Sequence, residues 1–587
     1  MFKKLFTTVA LTVACLQAGA QTLAKEYKSI SNGNPISPCV FCADPTAIDY
    51  NGRIYVYGSN DHQQYIKNGK KGGNDYGDIK SLVVFSTDDM VNWTFHGTID
   101  VGKLCSSWGW RFAASWAPSA VWRTSSTGKN EFFLYFANSG GSIGVLKASS
   151  PLGPWSSPLS KPMIDGDTPG VRPCNWIFDP GVVIDEEGTG YIAFGGGDPQ
   201  STGSNLWPGN SRIAKLKKTM TAIDGSAVNM PAPYLFEASE LNIIGGRYVY
   251  TYSTSWLDRN AWNTYAGRNG QPAPSSCSMC YMVSDTPLVP DSWEYRGEYV
   301  PNEGSFSALG ADWGNNHTHL HKYQDTYYLF YHGNVLEKTM KSSGAMNSDA
   351  SGYRSICVNK LTVNESTQKL NKVTMNKTGV AAIKNLDPYQ LQEAETMATS
   401  GGISYEDFTN ITKKTGISSL GNDASSNMQV KMKEGSWTQL RSVDFGTQGA
   451  SKLMVRAKGE GTVEIRIDKK SAKASATFEI ASSAWSDITV DVDTTTFKGQ
   501  KTLYIVAAAG TVYLDAWQAI EAQPAAIYEA VSGKIVSRRY FDLFGRLLPD
   551  NRPHRGIVIE QTTDENGVKH SRMIRNEQFV PHHDGGR

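Results

Sequence analysis

The sequence predicts an all-β protein: a five-bladed β-propeller, a β-sandwich (jelly-roll) module behind it, and a short β-rich tail. Helical periodicity is scarce, while short aromatic and β-branched runs bounded by Gly, Asn and Asp recur along the chain. Five of these runs share one flavour: GRIYVYGS, NEFFLYFA, GTGYIAFGG, GRYVYTYS and DTYYLFYH. After a linker near GVAAIKNLDPYQ, the alternation resumes in KLMVRAKGEGTVEIRID, SDITVDVDT and KTLYIVAAAGTVYLDAW.

Each aromatic run is preceded by a partner run: DPTAIDY, APSAVW, DPGVVID, EASELNII and HTHLHKY. These begin at Asp44, Ala117, Asp179, Glu237 and His317, and the second strands are marked by Tyr55, Phe133, Tyr191, Tyr248 and Tyr328. Four of the five spacings agree to within one residue, and the second carries a loop insertion. Such a repeat describes hairpin-led sheets arranged radially, with the first strand of each lining a central channel. The pseudo-symmetry therefore gathers the five starting residues around one mouth, three carboxylates and a histidine among them.

Residues 1–20 have the pattern of a cleaved secretory signal. Lys3 and Lys4 precede an apolar run that ends in Ala18-Gly19-Ala20, so the mature chain is expected to begin near Gln21. A lipid anchor on Cys15 is the alternative, although Thr12 stands where such a site usually has Leu. The expected location is secreted, cell-surface or periplasmic. Residues 21–380 form the propeller, 391–522 the sandwich, and 523–587 the tail, too small for a large core of its own. A formal net charge of +1 gives no basis for a nucleic-acid or anionic-membrane partner, and no later segment is apolar enough to span a bilayer. Seven cysteines remain after cleavage, including pairs at 39/42 and 277/280. Their separation does not suit a zinc ribbon, which leaves a local disulfide clip or free thiols in loops.

The carboxylates suggest the chemistry. Glycosidic cleavage needs one protonated carboxyl to serve the leaving oxygen and one ionised carboxyl to activate water. A neighbouring negative charge raises a carboxyl pKa, so Asp179 would help Glu237 keep its proton while Asp44 stays ionised. Glu240 is a rival acid three positions on. His317, His319 and His321 share one strand face, read either as a metal comb or as one functional residue with two that pack. An Asp-Pro pair before a strand is also a common turn, and only the repeat lifts Asp44 and Asp179 above that reading.

At these residues the chain resembles glycoside hydrolase family 43. The likeness is carried by ADPTAIDYNGRIYVYGS, SWAPSAVW, FDPGVVIDEEGTGYIAFGG, LFEASELNIIGGRYVYTYS, NHTHLHKYQDTYYLFYH and YRSICVNKL. It implies an inverting hydrolase of arabinose- or xylose-containing hemicellulose. Asp44 is implied as general base, Asp179 as the pKa-modulating carboxylate and Glu237 as general acid. Trp116 and Ala117 match a sugar-contacting pair, with inter-blade core the alternative for Trp116. Arg354 matches a substrate-side arginine or is a surface ion pair. His317 matches a central histidine beside a channel calcium, structural or electrostatic in role. No cofactor is implied for the chemistry itself.

The segment from EAETMATSGG to YLDAWQAIEA resembles carbohydrate-binding module family 6, with Trp437 and Trp517 as candidate ring donors. Trp108, Trp110, Trp176 and Trp313, in loops near the motifs, are further candidates for stacking on sugars. The tail is similar to C-terminal sorting domains of secreted proteins, implying contact with secretion machinery. The expected activity is α-L-arabinofuranosidase on arabinoxylan or arabinan. β-Xylosidase and endo-arabinanase are alternatives in the same family, and a non-catalytic carbohydrate-binding propeller is the alternative of another class.

Overall fold

The computed structural model describes residues 21–197, 206–302, 314–373, 375–411, 428–522, 535–542, 546–548, 556–567 and 569–576. Five antiparallel sheets follow one another from residue 43 to residue 361. Blade I contains Ala43–Tyr50, Arg53–Ser59, Leu82–Thr87 and Trp93–Ile99. Blade II contains Trp116–Thr124, Asn130–Asn138 and Ser142–Ala148. Blade III contains Gly181–Ile184, Gly190–Phe194, Arg212–Lys215 and Val228–Asn229. Blade IV contains Leu235–Ile244, Arg247–Thr254, Met279–Ser284 and Glu294–Val300. Blade V contains Thr318–Tyr323, Thr326–Gly333 and Ser355–Leu361.

Turn chemistry fixes the leading hairpins. In blades I, IV and V the first two strands are joined by two residues, 51–52, 245–246 and 324–325. All six have positive φ, the type I′ geometry that matches the twist of paired strands. Asn51-Gly52 and Gly245-Gly246 supply residues that tolerate it, whereas Gln324 and Asp325 adopt it against their preference.

The first strands contact one another in cyclic order, and that of blade V returns to blade I. This is a closed five-bladed ring. Each junction has its own apolar core. Tyr57, Leu134 and Phe136 lie between blades I and II, and Phe133, Ile192 and Phe194 between II and III. Ile213, Tyr250 and Met282 fill the next junction, followed by Val249, Leu320 and Leu329. The closing core, with Val56, Phe85, Phe330 and Val358, also contains Met397, Phe408, Met432 and Val455 from the following module.

That module has eight antiparallel strands, including the long Ala450–Ile467, Ala476–Asp491 and Gln500–Glu521. It does not begin cleanly after the linker. Thr396–Met397 pairs with Trp93–Ile99 as a fifth strand of blade I. The segment that opens the propeller region also crosses over: the Ala24 N–H donates to the Gly435 carbonyl at 2.8 Å, and Glu26 pairs with Lys470 at 2.6 Å. Trp437 and Trp517 are buried, at 0 % and 3 % exposure, so neither offers a ring to a ligand; Trp437 Nε1 donates to the Ala24 carbonyl.

Residues 523–587 form a separate unit. Its described strands are Ile535–Phe541, Leu547–Leu548, Gly556–Asp564 and Lys569–Asn576, one antiparallel sheet. No helix among the described residues is long and apolar enough to cross a membrane. The leader pattern of residues 1–20 lies outside the described residues. All seven cysteines from Cys39 onward are buried free thiols, so of the two readings the free thiols hold and no clip forms at 39/42, although Cys280 and Cys357 lie on strands rather than in loops.

Candidate active site

A cavity of about 680 Å³ opens at one end of the ring. Of the residues singled out from sequence, Asp44, Trp116, Asp179, Glu237, His317 and Arg354 line it. Ala117 does not: it is buried behind Trp116, and its N–H donates to Ser59 Oγ at 2.8 Å.

The backbone explains how the side chains converge. Asp44, Ala117, Asp179 and Ala238 all have φ between 40° and 62°, at the start of the inner strands of blades I to IV. In blades I, II and IV this position coincides with a break in strand register. A left-handed residue at a bulge re-aims the side chains beside it. The N–H at this position donates across a blade junction: Asp44 to His332 Nδ1 at 3.0 Å, Ala117 to Ser59, and Ala238 to Asp179 Oδ2 at 2.9 Å. Ala238, rather than Glu237, is therefore the register mate of Asp44 and Asp179. Glu237 stands one residue earlier, where blade II has Trp116.

Asp44 is 6 % exposed and fully engaged. Oδ2 accepts from Ser59 Oγ at 2.7 Å, and Oδ1 accepts from Arg354 Nη1 at 2.8 Å. Burial alone would raise its pKa, but Arg354, with His332 and His317, outweighs burial and holds the carboxyl far below the usual range. His332 receives the Asp44 N–H on Nδ1, so its proton sits on Nε2, which donates to the Asn315 carbonyl at 2.9 Å.

Arg354 is 3 % exposed and committed to protein partners. Nε and Nη2 grip Asp61 at 2.9 and 2.8 Å, and Nη1 is shared between Asp44 and Asn315. Its guanidinium lies 4.9 Å from the centre of the Tyr76 ring. The arginine thus sits against the Asp44 carboxylate with little donor capacity left over.

Asp179 and Glu237 have the opposite environment. Burial first, and then the Asp44 charge, push Asp179 up to about 7. Burial, Asp179 and Asp44 together raise Glu237 well above the ordinary glutamate value. The cavity therefore sets Asp44, held in its ionised form, against Glu237, whose surroundings favour its proton.

The histidines step down the bore. His317 reaches the cavity, with Nδ1 3.8 Å from Asp44, and burial lowers its pKa to about 4. His319 lies deeper: its Nδ1 is 3.0 Å from Glu240 Oε1, and its Nε2 donates to the Ala47 carbonyl at 3.1 Å. His321 is next, 3.2 Å from Asp49. Glu240, 3 % exposed, faces the bore and does not line the cavity. Among the described residues no three His, Cys, Asp or Glu side chains form a metal-holding cluster. Calcium requires six to eight oxygens, and among the described residues beside His317 the side chains supply too few of them to form a cage on their own.

An aromatic wall completes the cavity. Trp176 meets Phe178 and Phe236 at centroid distances of 5.4 and 5.9 Å, and Phe236 meets Trp256 at 4.9 Å. Trp108 is buried, Trp110 is exposed, and Trp313 lies outside the described residues. Tyr76, Trp256 and Asn315 reach the site from irregular segments that carry no sequence signal. Ser59 and His332 were detectable: each stands four residues after the aromatic marker of its hairpin, Tyr55 and Tyr328.

Carboxylates in opposed electrostatic surroundings beside an aromatic wall, at the mouth of a five-bladed ring, define a carbohydrate-cleaving class of site. The chain belongs to glycosyl hydrolases family 43, whose model matches residues 32–367, and the family 6 carbohydrate binding module matches residues 393–521. It is 35 % identical to an arabinoxylan arabinofuranohydrolase of Bacillus subtilis over 87 % of this chain and 97 % of that one. It is 34 % identical to an arabinoxylan arabinofuranohydrolase of Paenibacillus polymyxa over 83 % of this chain and 74 % of that one. A crystal structure of a family 43 arabinoxylan arabinofuranohydrolase from Bacillus subtilis, in complex with cellotetraose, superposes with a TM-score of 0.74. That match covers 86 % of this chain and 99 % of the other at 34 % identity.

Proposed function

We propose that the protein is an inverting α-L-arabinofuranosidase that removes arabinose side groups from arabinoxylan. The observation that carries the reading is one cavity lined by Asp44, bonded to Arg354 and Ser59, and by Glu237, buried beside Asp179 and favoured in its protonated form. Glu237, protonated, gives its proton to the oxygen of the departing xylan. Asp44, ionised and held by Arg354 and Ser59, takes a proton from the water that attacks the anomeric carbon from the other side. Asp179 keeps Glu237 protonated and, through the Ala238 N–H, fixes the strand that carries it. The wall formed by Trp176, Phe236 and Trp256 supplies apolar faces for sugar rings.

The substrate is proposed from the two relatives with that activity, which align with most of this chain. The family 6 module supports binding to the polysaccharide. The sandwich (jelly-roll) form of that module, export with cleavage near Ala20-Gln21, and a sorting role for the tail are proposed on sequence resemblance. Catalysis is proposed to proceed without a cofactor, and a calcium beside His317 would take most of its ligands from water. The test compares release from aryl α-L-arabinofuranoside and aryl β-D-xyloside, with proton NMR of fresh product. Arabinofuranoside cleavage with inverted anomeric configuration is expected; xyloside preference would overturn the substrate, and retention the mechanism.

A further inference from the structure

We propose that Trp110 forms a distal subsite on the rim of the cavity, a platform on which a sugar ring of the xylan main chain stacks outside the active site. The inference rests on the arabinofuranosidase reading, because an arabinose held in the cavity leaves its polymer lying across the rim.

Trp110 is 86 % exposed, more than any other large apolar side chain among the described residues; Trp207 and Trp256 follow among the tryptophans at 40 % and 37 %. An indole left in water forgoes the favourable burial that an aromatic side chain ordinarily obtains. It is also rigidly mounted. Trp108, two residues earlier, is buried with Nε1 bonded to the Leu159 carbonyl at 2.8 Å. Gly109, at φ 57° and ψ −130°, breaks the short helical run between the two indoles. The Arg111 guanidinium lies 4.8 Å from the centre of the Trp110 ring and backs one face.

The mount is continuous with the cavity. Asn138 Nδ2 donates to the Arg111 carbonyl at 2.7 Å, and Asn138 Oδ1 accepts the N–H groups of Ala113 and Ala114 at 2.7 and 3.2 Å. The next residues, Ser139 and Gly140, line the cavity, as does Trp116 further along the same segment. A flat, apolar, exposed face on a segment tied to the lining of a sugar-cleaving cavity suits the C–H face of a neutral pyranose ring. That chemistry is supplied by the xylan backbone.

The test uses the full chain and its W110A and W110F forms on soluble arabinoxylan and on p-nitrophenyl α-L-arabinofuranoside. Alanine is expected to raise KM for the polymer roughly fivefold, the scale of one aromatic stacking contact. Its kinetics on the aryl glycoside should match wild type, and phenylalanine should restore most of the polymer affinity. Unchanged polymer kinetics in W110A would overturn the platform, as would an equal loss on both substrates. Should the wild type release no arabinose from either, the arabinofuranosidase reading fails. The platform is then judged by electrophoresis through arabinoxylan, where equal retardation of wild type and W110A overturns it.

Discussion

Two glutamates three residues apart on one strand show how the ring assigns charge. Glu237 stands at the mouth and Glu240 in the bore, and burial raises the pKa of both. At the mouth burial and the neighbouring carboxylates, Asp179 and Asp44, outweigh the opposing pull of Arg354, so Glu237 keeps a proton that no hydrogen-bonded base takes up and that is left poised for transfer. In the bore the neighbour is an imidazole. His319 must keep its Nε2 proton for the Ala47 carbonyl, so the proton between Nδ1 and Glu240 completes a pair that is neutral whichever partner carries it. Burial raises a pKa; the neighbour decides whether the proton is available or locked.

Replacing both ends of the contrast gives the largest expected effects. Asp44→Asn and Glu237→Gln should each reduce kcat by about 10² to 10⁴ while the fold persists, the usual scale of general acid–base catalysis. Glu240→Gln, which can still bond His319, should remain within a few-fold of wild type; if it were the one to lose activity, the acid would be misassigned. Next comes stability in the bore: Glu240→Ala strands His319 Nδ1 and should cost about 1 to 3 kcal/mol in urea unfolding.

Asp179→Asn sharpens the mouth. It removes a negative charge that raises Glu237, so the alkaline limb of kcat/KM should move to lower pH. Wild-type Asp179 titrates near 7, so the two profiles should separate above about that value. The smallest expected effect is on thermal stability. A buried acid with a raised pKa destabilises the fold progressively as pH climbs from its unfolded value through its folded one. Asp179→Asn should therefore match wild type near pH 4, gain Tm as pH rises to about 7, and hold that gain above it.

Much of the ring could be read from the chain because its determinants are local. The Asn51-Gly52 and Gly245-Gly246 turns and the aromatic alternation after them lie within a few residues of one another. The repeat then brought Asp44, Asp179 and Glu237 together without any knowledge of distance. The one-residue offset at Ala238 was not legible, because a left-handed bulge leaves no mark on an alanine. Arg354 was recognised, but its grip on Asp61, across a sequence separation of 293, emerges only on folding. The shared core was missed because the strand that joins the module to blade I, Thr396–Met397, is too short to form a pattern.

The crossing of Gln21 and Ala24 into the module bears on the order in which the molecule can be assembled. The Gln21 side chain bonds the carbonyl of Ala507, a sequence separation of 486. Residues made early must therefore wait, unpaired, until the ribosome has delivered the final strand of the module. Blades II to IV can close their own junctions during synthesis, but the V–I seam and the module complete one another in a single late step. Contacts this distant slow folding, so maturation is expected to be post-translational, with the seam as the last element to gain protection from hydrogen exchange.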